Sequence, residues 1–145
     1  MDSKELVNLY LDISEEIFSK LTFNKSDLDI TNQFLFFLSL EKSFDYLADS
    51  ILNQSGIDLP NAGSFNTQAK WNKLGLEPSL KNIIFKEEQP DGFIFDFYNA
   101  KDKLLSPVND SLITSNQSSN LKKYISILDS YKRFTLLLRK TLDEC

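Results

Sequence analysis

Apolar positions recur at steps of three and four along most of the chain, and that spacing predicts helices. Over residues 3–22 the stripe is Leu6, Leu9, Tyr10, Ile13, Ile17 and Leu21. Asp2, with Glu5 three residues later, makes a capping-box signature at its start. Asp12, Glu15 and Glu16 fall off the stripe and read as solvated. The segment Thr22–Ile30 is polar and breaks the pattern. A second helix is predicted over 31–55, with Gly56 where a glycine would end it. Its stripe is Phe34, Phe37, Phe44, Leu47 and Ile51. The run 34–38 is apolar all round, which predicts a central place in the fold.

Residues 56–66 read as a loop, after which Thr67 caps a short helix through Leu74 with Trp71 inside it. Pro78 suits the first turn of another helix over 78–88. From there two readings compete. A helix over about 91–105 uses Phe93, Ile94, Phe97, Tyr98, Lys101, Leu104 and Leu105 as its stripe. A small β-hairpin over 83–98 uses the turn Gln89-Pro90-Asp91-Gly92 between two short apolar runs. Helix is favoured, because a lone hairpin leaves its faces uncovered. Residues 106–118 are rich in Ser and Asn and read as a loop. The last helix, 119–143, carries Tyr124, Ile127, Leu128, Tyr131, Phe134, Leu138 and Leu142 on one face. The tyrosines Tyr10, Tyr124 and Tyr131 are expected to pack with their hydroxyls at the rim. The fold class is therefore all-α: one domain over 1–145, a compact bundle of about four to six helices.

Composition narrows the chemistry. With 4 Gly and 4 Pro in 145 residues, long uninterrupted elements are favoured over a turn-rich sandwich. Twelve Phe predict an aromatic core. One Cys excludes a disulfide within the chain, and with no His it excludes a Cys/His zinc site. The missing imidazole also excludes Ser-His-Asp, Cys-His and histidine-ribonuclease mechanisms. Cys145 between acidic neighbours and the chain end reads as an inert thiol. No phosphate loop, dinucleotide fingerprint or nucleophile elbow is present, and no cofactor is expected. No run of apolar residues is long enough for a membrane span, and the start of the chain lacks a signal-peptide layout. A cytoplasmic protein with no membrane contact is expected.

Charge is uneven. Residues 1–60 hold 4 basic and 11 acidic side chains, a net of -7; residues 61–145 hold 12 and 10, a net of +2. The final helix concentrates Lys122, Arg133 and Lys140 opposite its apolar face. Such a strip can meet an acidic protein or a phosphate backbone. Trp71 between Lys70 and Lys73 is a second candidate, as aromatic plus basic suits base stacking; a core anchor is the ordinary alternative. Paired carboxylates, Asp27/Asp29 among them, read as exposed charge. Glu41 and Asp45, four apart on the second helix, suit either a metal or basic groups on neighbouring helices.

The order of features over 34–109 resembles HEPN-type helical domains. The resembling parts are the apolar helix with an acid in its middle (Phe37-Leu38-Ser39-Leu40-Glu41), the Lys-Trp segment Ala69–Leu74, and a helix leading into Lys101-Asp102-Lys103-Leu104-Leu105-Ser106. Lys101 stands where that family's ribonuclease motif has Arg, and Ser106 where it has His. Serine cannot move protons at a ribose hydroxyl near neutral pH. The resemblance therefore implies a catalytically degenerate, dimeric member that binds a partner. Three functional expectations follow: an interaction protein of a microbial or phage conflict system (antitoxin, inhibitor or accessory subunit), a nucleic-acid module using the basic strip with Lys101 and Trp71, and carboxylate chemistry around Glu41 and Asp45. The first is preferred, with a protein partner and self-association as a homodimer ahead of nucleic acid.

Overall fold

A computed structural model describes residues 1–57, 66–106 and 117–143, with side chains left out at 117–119. Six helices follow one another: α1 (Ser3–Phe18), α2 (Asp27–Ser55), α3 (Thr67–Leu74), α4 (Lys81–Glu87), α5 (Phe93–Leu105) and α6 (Gln117–Asp143). The all-α bundle expected from periodicity is the architecture found, and no strand occurs among the described residues. The hairpin alternative over 83–98 is not formed. Its two apolar runs lie in α4 and α5, and the turn between them joins helices. Gly92 is required there, because a Cβ would come within 2.4 Å of the Glu87 carbonyl oxygen. No helix among the described residues is long and apolar enough to cross a membrane.

Each helix end has a local cause. Asp2 accepts from the Glu5 amide while the Glu5 carboxylate accepts from the Asp2 amide, so the capping box is real. Gly56, at φ 67°, closes α2 in the left-handed conformation that favours glycine. Several boundaries need correcting. α1 stops at Phe18 rather than 22, because a tight turn through Ser19 and Lys20 ends it. α2 starts at Asp27 rather than 31, capped by Ser26, whose hydroxyl accepts from the Asp29 amide. Asn66, not Thr67, caps α3. Pro78 lies ahead of α4 in a turn, not inside the helix.

The core is a single cluster of buried side chains drawn from all six helices. Phe44 is its hub: Trp71 stacks on it at 4.4 Å, and Phe93 meets it edge-on at 5.2 Å. Phe36, Phe37 and Tyr124 form a second aromatic group. Two expectations about facing change. The buried face of α1 is Val7 and Ser14, with Leu11, Ile17 and Phe18 packed beside them; Leu6, Tyr10 and Ile13 stay half-exposed. The run 34–38 is central only on one side, since Leu35 and Leu38 are 43% and 57% exposed. Tyr131 is also not a rim residue. Its hydroxyl is buried 2.7 Å from Ser43 Oγ, which itself donates to the Val7 carbonyl. This chain of bonds ties α1, α2 and α6 together.

Candidate functional site

The five residues singled out by sequence separate into two groups. Trp71 is 3% exposed, and its Nε1 donates to the Phe44 carbonyl at 3.1 Å. With Phe44 stacked flat on it and Phe134 tilted against it at 47°, the buried indole is a core ring rather than a platform for a base. Lys101 donates to Glu41 Oε1 at 2.8 Å and lies over the Tyr98 ring. Trp71 is thus the core anchor that the sequence offered as the ordinary alternative, and Lys101 is engaged within the fold; as binding candidates both are corrected.

Glu41 and Asp45 are explained in the same way. Lys70 Nζ, with its side chain 7% exposed, reaches Asp45 at 3.1 Å and Asp49 at 3.0 Å. Thr67 Oγ1 also donates to Asp45. Burial disfavours the Lys70 ammonium, but hydrogen bonds and charge from Asp49 and Asp45 outweigh it, and its pKa is raised. Tyr98 Oη sits buried nearby; burial, then the Glu41 charge, hold the phenol protonated well above its usual range. Each carboxylate of this cluster is therefore paired, Glu41 with Lys101 and both Asp45 and Asp49 with Lys70. Among the described residues no three Asp, Glu, Cys or His side chains converge to hold a metal.

Lys122, Arg133 and Lys140 stand differently. All three are exposed on the outer face of α6 and make no ion pair among the described residues. They spread over about 27 Å of helix at 1.5 Å per residue. Ile125 and Leu136, 40% and 67% exposed, lie between them. Lys122, Ile125, Asp129, Lys132 and Arg133 line a shallow groove along the helix. Arg133 also borders a second cleft, between α6 and the α4–α5 turn, walled by Ile83, Lys86, Pro90 and Leu137. Lys132 is shared with the fold, as it pairs with Glu15 of α1 at 3.1 Å. Lys123 faces α5 instead, where burial and the charge of Lys103 lower its pKa.

Sequence reasoning missed Asp29, read there as exposed charge. It is 3% exposed and accepts from the Thr22 and Phe23 amides, the Thr22 hydroxyl and the Gln33 amide. Burial pushes its pKa up, but these hydrogen bonds outweigh that, and the net shift is downward. The signal was present: Ser26 with Asp29 three residues on is a capping-box pattern. The role is structural, since Asp29 holds the α1–α2 connection where Phe23 and Lys25 have φ of 55° and 63°. Cys145 and Glu144 lie outside the described residues, as do most of the two predicted loops. No protein-family model, curated protein or solved structure matches the chain.

Proposed function

We propose that this chain is a non-catalytic interaction protein that binds an acidic protein partner along the outer face of α6. An antitoxin, inhibitor or accessory subunit of a microbial or phage conflict system is the setting we propose for it. One observation carries the reading: the lysines near carboxylates are already paired, whereas Lys122, Arg133 and Lys140 are exposed together without pairs among the described residues. Cations held ready on a rigid helix steer and orient an oppositely charged partner. The absence of His and the lysine-paired state of Glu41 and Asp45 support a binder over a catalyst.

A protein partner is favoured over nucleic acid by the apolar residues in the row. Ile125 and Leu136 suit the apolar anchors of a protein interface and offer nothing to a phosphate backbone. The one aromatic–basic candidate for base stacking, Trp71, is buried.

The test is co-purification of the tagged chain from its native cells at low salt, beside a K122E/R133E/K140E variant. A defined protein retained by the wild type and lost by the variant supports the reading. Isolation of only the free chain overturns it. A salt-sensitive complex with a generic RNA or DNA oligomer, lost in the same variant, would favour nucleic acid instead.

A further inference from the structure

A second surface carries its own pattern. On α2, Leu28, Thr31, Leu35, Leu38 and Lys42 follow one another at steps of three and four, the spacing of a coiled-coil seam. The fold leaves this seam uncovered. Leu28, Leu35 and Leu38 are 72%, 43% and 57% exposed, and Thr31 and Lys42 are exposed too. Tyr10 of α1 stacks on Tyr46 of α2 at 5.7 Å, four residues beyond Lys42. Half-exposed Leu6 and Ile13 of α1 add apolar surface on that helix. Exposed apolar side chains grouped in this way mark an interaction surface.

We propose that this seam pairs with the seam of a second copy of the chain, antiparallel about a two-fold axis near Leu35. Charge selects that occupant. The row from Leu28 to Lys42 contains no acid, so it offers nothing to a basic partner, and its single cation stands at one end. Asp27 stands at the other end. Lys42 lies seven residues after Leu35 and Asp27 eight before it. An antiparallel two-fold therefore brings them level to within about 1.5 Å along the helix axis, twice per dimer. Parallel pairing would set Lys42 against Lys42. Of the flanking residues, Asn32 and Ser39 are uncharged, and Glu41 is already paired with Lys101 at 2.8 Å. The contact is short for a stable interface, so the dimer is a weak one that responds to concentration.

Light scattering and sedimentation of the full chain, from about 1 µM to about 0.5 mM, test this. The expected mass rises from 16.7 kDa toward twice that value. Leu35→Glu and Leu38→Glu each weaken association at least tenfold, with the helical far-UV signal retained because both side chains already face solvent. Leu38→Ala is the milder companion, with a smaller weakening in the same direction. Lys42→Glu weakens association about fivefold by facing Asp27, and adding Asp27→Lys restores it. A single 16.7 kDa species at the highest concentration overturns the proposal. So does a dimer that none of the leucine variants affects, or a charge swap that fails to rescue.

Discussion

Lys70 and Lys140 are the same side chain in opposite circumstances. Lys70 is held between Asp45 and Asp49 with its side chain 7% exposed, whereas Lys140 stands in solvent on the last turns of α6. The first fastens α3 to α2, and removing it would leave two carboxylates facing each other in partly buried surroundings. The second fastens nothing among the described residues. Counting basic residues cannot separate these cases. Counting the carboxylates within reach of each one can: Lys70 and Lys101 are paired, whereas Lys122, Arg133 and Lys140 make no ion pair among the described residues and stand in one row on α6.

The sharpest way to break this division is through Trp71, the binding candidate the structure buries most deeply. Trp71→Ala removes a ring stacked on Phe44 and a bond to its carbonyl, so it should cost about 3–5 kcal/mol in urea unfolding. Trp71→Phe keeps most of the packing and should retain partner binding. Loss of binding in a stably folded Trp71→Phe would return this residue to the interface.

Lys70→Met against Lys140→Met compares the two lysines directly. The first should destabilise by about 2–3 kcal/mol, less than for a fully buried pair because Asp45 and Asp49 keep some solvent contact. The second should stay within about 0.5 kcal/mol. The Lys70 pKa is raised in the folded chain, so its contribution is complete below the ordinary value of 10.5 and is lost as pH rises through the folded value. Stability should therefore fall more with rising pH above about 10.5 for the wild type than for Lys70→Met. Equal losses for the two lysines at neutral pH would erase the distinction.

How much of this was legible beforehand differs between the two regions. The outer face of α6 could be read directly, because Lys122, Arg133 and Lys140 fall opposite a stripe from Tyr124 to Leu142, and the helix period decides which way both point. The lysine-paired cluster could not. Lys70 and Asp45 are 25 residues apart, and nothing local in either helix says that they meet. Only packing of α3 on α2 brings them together. The α1 face was misjudged for a related reason. Leu9 and Ile13 look as apolar as Val7 and Leu11, yet Val7 and Ser14 are the residues buried, Ser14 at no polar cost because its hydroxyl donates to the Leu11 carbonyl within the helix. Hydrophobicity alone cannot rank two adjacent stripes when a neighbouring helix chooses between them.

Triple charge reversal on α6 sharpens the comparison from the other side. K122E/R133E/K140E should weaken partner binding at least tenfold while shifting stability by less than about 1 kcal/mol. Asp29 gives a smaller effect, far from α6, as a check that structural polar groups answer to pH. Its folded pKa is depressed, so its contribution is present above the ordinary value of 3.8 and lost as pH falls through the folded value. Asp29→Asn should flatten the acid limb of the stability profile below about pH 4. An unchanged limb would mean that another carboxylate dominates acid unfolding.

The smallest expected effect belongs to the residue that straddles both regions. Lys132 lies on the outer side of α6, in the groove with Lys122 and Arg133, yet it pairs with Glu15 of α1. The pair is exposed, with side chains 46% and 41% accessible, so it contributes at most about 0.5 kcal/mol to the fold. Glu15→Gln should therefore leave the melting temperature almost unmoved. It also releases a fourth cation into the row and removes an acid beside it, so affinity for an acidic partner should rise by roughly twofold, and by more at low salt. Should Glu15→Gln instead lower both stability and affinity, the α1–α6 ion pair would be what holds the binding face in shape. Lys132 would then belong with Lys70 and Lys101 rather than with the cations of α6.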